Sequence, residues 1–370
     1  MSYFAIALFF SFVTTLWLVR NHRLHAHVSH DSSTGPQKFH DKPVARVGGI
    51  GIAVGLLAFF VLSLIRNHPS ADDVGWFLLA SSLAFMVGLA EDLTKRVSPM
   101  MRLVATALAA ILAGIWIHAT IDRLDIWGLD HLIKVSVIGL LFTAFAVAGI
   151  ANAINIIDGF NGLASAVVCT MLLSLLYVAF NVNDAFVMSC SLALLGAVIG
   201  FFVWNYPSGS IFLGDGGAYL IGFLVADLSV ILVNRHLSVS PWYPVLLFIY
   251  PLVETLFSAY RKKMIRKMSP TLPDGVHLHM LIYRRMIRWA LGYQHLSTEQ
   301  RNAMTSPYLW LLSSMAVLPA TLFFQHTWVL IGFVVVFVAS YIWIYRSLVR
   351  FKSPFWMNWL HRHRKEPTDH

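Results

Sequence analysis

Eleven apolar runs, each near the roughly 17 to 25 residues needed to cross a bilayer, divide this 370-residue chain almost from end to end. They fall at residues 3–18, 48–65, 76–90, 103–119, 132–154, 163–180, 185–204, 218–233, 242–257, 308–324 and 328–348. A backbone in hydrocarbon has no water to bond, so each run must satisfy its own N–H and C=O groups as a helix. The expected architecture is therefore all-α: one polytopic membrane domain over residues 1–370 with about eleven transmembrane helices. With 58% hydrophobic and only 12% charged residues, the composition excludes an ordinary soluble domain. The first run lacks a basic leader and a small-residue cleavage site, so it reads as a retained helix rather than a signal peptide.

Charge tests that count independently. If eleven helices alternate direction, 23 of the 27 Lys and Arg residues fall on one side, and only Arg66, Arg123, Lys134 and Arg235 fall on the other. Basic residues collect in the cytoplasm, which places the amino terminus outside and the carboxyl terminus inside. The longest inside loop, residues 259–307, is strongly basic. The net charge of +9 thus follows from topology and membrane contact, and no nucleic-acid partner is implied. Cys169 and Cys190 both sit in apolar runs and form no disulfide framework.

The polar motifs sort to the same side. Asn152, Asn155, Asp158, Gly159, Asn161 and Gly162 lie where one apolar run ends and the next begins. A carboxylate there needs a partner, a metal or water to offset its desolvation, and the three-residue spacing of Asn152, Asn155 and Asp158 suggests a shared helical face. Glu91 and Asp92 open another inside loop, where both can reach one cation; the alternative is a solvated helix end paired with Lys95 and Arg96. Gly214-Asp215-Gly216-Gly217 begins a helix, a setting that suits phosphate oxygens and an accompanying Mg²⁺. His277 and His279 lie in the long basic loop, with spacing wrong for zinc but donors suited to a diphosphate; the alternative is a loop resting on anionic lipid. His22, His25, His27, His30 and His40 are too irregularly spaced to define a metal site.

In order, spacing and sidedness these residues resemble the polyprenyl-phosphate N-acetylhexosamine-1-phosphate transferases, glycosyltransferase family 4. That family includes the phospho-N-acetylmuramoyl-pentapeptide transferase and the initiators of O-antigen and teichoic acid synthesis. The resemblance runs from Asp41-Lys42-Pro43 through Gly48-Gly49 to His277-Leu278-His279. Three departures occur: Glu91 stands where the acidic pair usually begins with Asp, Asn161 where a second Asp is usual, and Met280 where another His is common. The last favours the O-antigen-type amino-sugar branch.

The resemblance implies a bacterial inner-membrane enzyme with its active site on the cytoplasmic face. It would transfer N-acetylhexosamine-1-phosphate, as GlcNAc-1-phosphate or a related amino sugar, from a UDP-sugar to undecaprenyl phosphate with release of UMP. The expected cofactor is Mg²⁺, with Mn²⁺ as a substitute, held by Asp215. Asp92, Asp158 and Glu91 take the catalytic roles; Asn152, Asn155, Asn161, Gly214, His277, His279 and Lys95 bind substrate, Asn161 as a positioning amide. The oligomeric state stays open, a homodimer included.

A secondary transporter is the competing class, with Asp158, Asp215, Asp227 and Glu254 as ion-coupling groups. Transporters place such groups near the midplane and commonly show repeated halves, whereas here the acids gather at cytoplasmic ends and no internal repeat is evident. Glu254 is expected near the cytoplasmic end, shaping the same cavity.

Overall fold

The computed structural model describes residues 1–22, 44–265, 276–287 and 297–350. The Asp41-Lys42-Pro43 motif and the histidines at 25, 27, 30 and 40 lie outside them. Among the described residues the chain is helical, with no strand beyond a single bridge at Ala45. In order come α1 (Ser2–Arg20), α2 (Gly49–Ile65), α3 (Ala71–Thr94), α4 (Pro99–Ile117), the short α5 (Leu129–Ile133), α6 (Ser136–Ile157), α7 (Leu163–Asn181) and α8 (Ala185–Asn205). Then follow α9 (Gly214–Arg235), α10 (Trp242–Leu247), α11 (Ile249–Tyr260), the four-residue α12 (Leu278–Leu281), α13 (Thr298–Leu322) and α14 (Thr327–Arg350). Eight of these are long and apolar enough to cross a membrane: α1, α3, α4, α6, α7, α8, α9 and α14. This is a multi-pass membrane protein.

The three remaining expected spans depart for identifiable reasons. Helix α2 is apolar but only 17 residues long. The run at 242–257 is two helices that break at Phe248, because the ring of Pro251 excludes the carbonyl of Leu247 four residues earlier. Helix α13 starts at Thr298, ten residues before the apolar run, behind a capping box of Ser297 and Gln300. Its polar first turns bring Asn302 and Ser306 to the site described below.

Helix α9 is the axis, buried at every residue from Gly214 to Val233 and packed against α3 and α6 most extensively. Glycines set that packing. A Cβ on Gly49 would stand 2.4 Å from the backbone nitrogen of Gly217, and one on Gly88 2.7 Å from Gly216 Cα. Small residues let membrane helices approach backbone to backbone, which lipid tails cannot reward in any other way. The close crossings bring the end of α3 and the start of α2 onto the first turn of α9, and so fix where the acidic residues meet.

Candidate active site

At one end of the bundle a polar cavity of about 310 Å³ is lined by Arg46, Asn155, Asp158, Asn161, Gly214, Asp215, His277, His279 and Asn302, among others. Each wall has a local cause. The segment before α2 runs beside the loop after α8, with Phe212 N–H donating to Ala45 O (2.8 Å) and Gly48 N–H to Phe212 O (2.9 Å). Gly214 has φ +75°, and a Cβ there would lie 2.2 Å from Arg46 O and 2.6 Å from Asp92 Oδ2. Only glycine fits.

Asp215, in the first turn of α9, forms ion pairs with two guanidinium groups: Arg46 Nη2 donates to its Oδ1 at 2.9 Å, and Arg102 to its Oδ2. Neither arginine stood out in the sequence as more than a positive-inside charge. Arg102 also lies over the Tyr219 ring, 5.7 Å from its centre.

The Asn152-to-Gly162 stretch divides. Asn155 and Asp158 line the polar cavity, but Asn152 does not: its Oδ1 accepts from Tyr219 Oη at 2.9 Å and it lines a separate apolar cavity. The expectation of one shared face fails because each three-residue step falls about 60° short of a full turn. The loop itself is clamped by α13. Asn302 Oδ1 accepts from Asn161 N–H (2.8 Å), Ser306 Oγ donates to Asn161 O (2.6 Å) and Trp310 Nε1 donates to Gly162 O (3.1 Å). Residues 302, 306 and 310 are one helical stripe. Asn161 reaches the cavity wall, and its Nδ2 donates to Pro207 O at 3.1 Å.

Glu91, Asp92 and Lys95 do not line the cavity. Glu91 and Asp92 lie in the last turn of α3, at a helix end as expected, but they face different partners rather than one cation. Glu91 Oε2 accepts from Val97 N–H at 2.8 Å, closing the turn after α3. Asp92 is buried, accepts from the backbone N–H groups of Asp215 (2.9 Å) and Gly216 (2.8 Å), and lies 3.6 Å from Arg46 Nε. It therefore caps α9 from another helix. Lys95 is exposed at the left-handed end of α3, φ 57°.

His277 and His279 stack in parallel, ring centres 5.1 Å apart. Glu254 lies behind them, with Oε1 3.0 Å from His277 Nδ1. Asp227 is elsewhere, fully buried in the middle of α9, with no hydrogen-bond partner among the described residues.

Burial pushes the Asp158 carboxyl up to about 7; Arg46 pulls it down and Asp92 adds to the rise. The folded protein thus holds this proton more tightly than the unfolded chain, and the stabilisation is full below the ordinary value of 3.8 and lost as pH rises through about 7. At ~1.4 kcal/mol per pH unit the ceiling on this effect is about 4 kcal/mol. Thermal unfolding compared at pH 5 and pH 8 should show a larger loss at pH 8 in the parent than in Asp158→Asn. Equal losses would exclude the shift.

Among the described residues no three His, Cys, Asp or Glu side chains converge to cage a metal. Asp158 and Asp215 nevertheless share one cavity with the amide of Asn155. That donor set fits Mg²⁺, which takes one or two carboxylates and completes its shell with phosphates and water. At Asp215 such an ion would compete with Arg46 and Arg102.

Residues 74–233 match the family profile described as glycosyl transferase family 4. That segment is similar to the family, and so are the curated proteins that align with the chain. A probable undecaprenyl-phosphate N-acetylglucosaminyl 1-phosphate transferase from Bacillus subtilis (strain 168) is 26% identical over 264 residues, 70% of each chain. An undecaprenyl-phosphate alpha-N-acetylglucosaminyl 1-phosphate transferase from Thermotoga maritima is 29% identical over 257 residues, 68% of this chain and 72% of its own. A phospho-N-acetylmuramoyl-pentapeptide-transferase from Streptococcus thermophilus is 28% identical over 220 residues, 54% of this chain and 64% of its own. The family 4 match includes Asp92, Asp158 and Asp215, whereas Arg46, the two histidines and Asn302 complete the cavity from outside it.

Proposed function

We propose that this protein is a family 4 enzyme that transfers an N-acetylhexosamine-1-phosphate, GlcNAc-1-phosphate or that of a related amino sugar, from a UDP-sugar to undecaprenyl phosphate. UMP is the second product, and the cavity faces the cytoplasm of a bacterial inner membrane. The observation that carries this reading is the convergence of Asp158, Asp215, Arg46, His277 and His279 on one polar cavity at the end of a membrane bundle. The relatives' names supply the acceptor, and the distribution of Lys and Arg supports the sidedness. An apolar cavity of about 620 Å³ supports a lipid acceptor: it begins at Asn152, one turn from Asn155, and is lined as far as Thr120 and Asn234.

In this reading a phosphate oxygen of the lipid attacks the β-phosphorus of the UDP-sugar, and the bond from that phosphorus to the α-phosphate oxygen breaks. The acceptor monoester, with a second pKa of about 6, is already largely ionised at neutral pH, so no strong base is required. The task is neutralisation and alignment of several phosphate charges. Arg46, His277 and His279 supply donors to the cavity, and Asn155 and Asn161 supply orienting amides. Asp158 and Asp215 would hold a divalent cation, which when bound neutralises charge developing on the phosphates. Asp92 and Glu91 act one layer back, holding the first turn of α9 and the end of α3.

Purified protein incubated with UDP-GlcNAc, Mg²⁺ and undecaprenyl phosphate should release UMP in proportion to lipid product, and EDTA in excess should stop it. Release of UMP from none of a panel of UDP-amino sugars would sink the reading.

A further inference from the structure

Glu254 does not line the cavity, yet it is almost fully buried and receives three hydrogen bonds from two elements, the start of α12 and α14. His277 Nδ1 lies 3.0 Å from Oε1, the Leu278 N–H donates to the same oxygen at 2.8 Å, and Tyr341 Oη donates to Oε2 at 2.8 Å. A carboxylate only accepts, so the imidazole must carry its proton on Nδ1 to make this contact. The Nε2 edge of His277 is then the one available to a ligand. The bond to Leu278 N–H fixes the backbone at the same place, because His277, the N-cap of α12, makes no side-chain bond to the helix itself.

Helix α14 braces this arrangement from the far side. Besides Tyr341, its Tyr345 Oη donates to Val276 O at 3.2 Å and accepts from Arg261 Nη1 at 2.6 Å. The histidine segment is thus held by α11 and α14 together, both beyond the family 4 match.

We propose that Glu254, braced by Tyr341 of α14, is a positioning residue that sets the tautomer and orientation of His277 for a nucleoside diphosphate in the cavity. This rests on the reading of the cavity as a nucleotide-sugar site. An ionised acceptor also strengthens the donor it faces, since charge-assisted bonds are roughly twice as strong as neutral ones. Outer-layer partners of this kind matter by about 10- to 100-fold where they orient histidines on metals.

The test is a double-mutant cycle on full-length protein in nanodiscs, with UDP binding measured by calorimetry and turnover measured separately. Glu254→Gln should weaken UDP binding about tenfold and raise KM for the UDP-sugar, with KM for undecaprenyl phosphate unchanged. In a His277→Ala background the same change should add less than twofold, because Glu254 acts through that ring. Tyr341→Phe should act in the same direction, more weakly, and provides the cycle should Glu254→Gln not fold. Losses that multiply in the His277→Ala background, or UDP binding untouched by Glu254→Gln, would overturn the proposal. Failure of the parent to bind UDP would also overturn it. UDP binding without UMP release would overturn only the transferase reading.

Discussion

Asp215→Asn is expected to lower UMP release by about 10²- to 10³-fold, the scale seen when one preorganised electrostatic contact to a reacting group is lost. Asparagine preserves volume and one acceptor oxygen but removes the charge that balances Arg46 and Arg102. It also removes one of the two carboxylates that line the cavity among the described residues. The fold should survive, since Arg46 keeps Asp92 within 3.6 Å and the backbone bonds from Asp92 to the first turn of α9 do not involve the Asp215 side chain. Steady-state kinetics with circular dichroism on the same preparation checks both parts. Activity within threefold of the parent would exclude a central role for this carboxylate, and full turnover of the parent in excess EDTA would exclude the cation.

Asp92→Ala should act first on stability. The leading N–H groups of a helix lack partners within it, and Leu213 offers α9 no side-chain cap. Asp92 supplies two bonds from outside, at 2.9 and 2.8 Å, with a negative charge at the positive end of the helix. Hydrogen bonds to a charged group contribute about 1.5–3 kcal/mol each, so removal of both should cost roughly 3–6 kcal/mol. Against a total of about 5–15 kcal/mol that is a large share. The expected result is inactivation at markedly lower temperature, with activity and folded protein lost together, and a smaller loss in Asp92→Asn. An Asp92→Ala protein as heat-stable as the parent yet inactive would place Asp92 in direct contact with substrate, as the family resemblance suggests.

How far the sequence discloses the site can be judged residue by residue. Asp158, Asp215, His277 and His279 are visible because a charged or titratable group beside hydrocarbon has to be offset by something. Gly214 is visible as part of a glycine turn, although its reason, contact with Arg46 O and Asp92 Oδ2, requires coordinates. Arg46 and Arg102 are hidden by the topology argument, which assigns every inside arginine the same role. Asn302 and Ser306 are hidden because they precede an apolar run, although the Ser297-to-Gln300 capping box is a local signal that α13 begins ten residues earlier. Glu91 and Asp92 look equivalent as neighbours, yet about 100° of helix rotation separates them, turning one to a loop and the other to the core.

The amino-acid sequence by itself determined the helical, membrane-embedded architecture and drew the acidic and histidine motifs to one set of loops, because apolar run length and the cost of a bare backbone in hydrocarbon are local properties. Only the tertiary structure decided which carboxylates face the cavity and which support its walls. That choice depends on helix rotation, on glycine-to-glycine crossings such as Gly49 on Gly217, and on partners more than a hundred residues apart, as in the bond from the Asp215 N–H to Asp92.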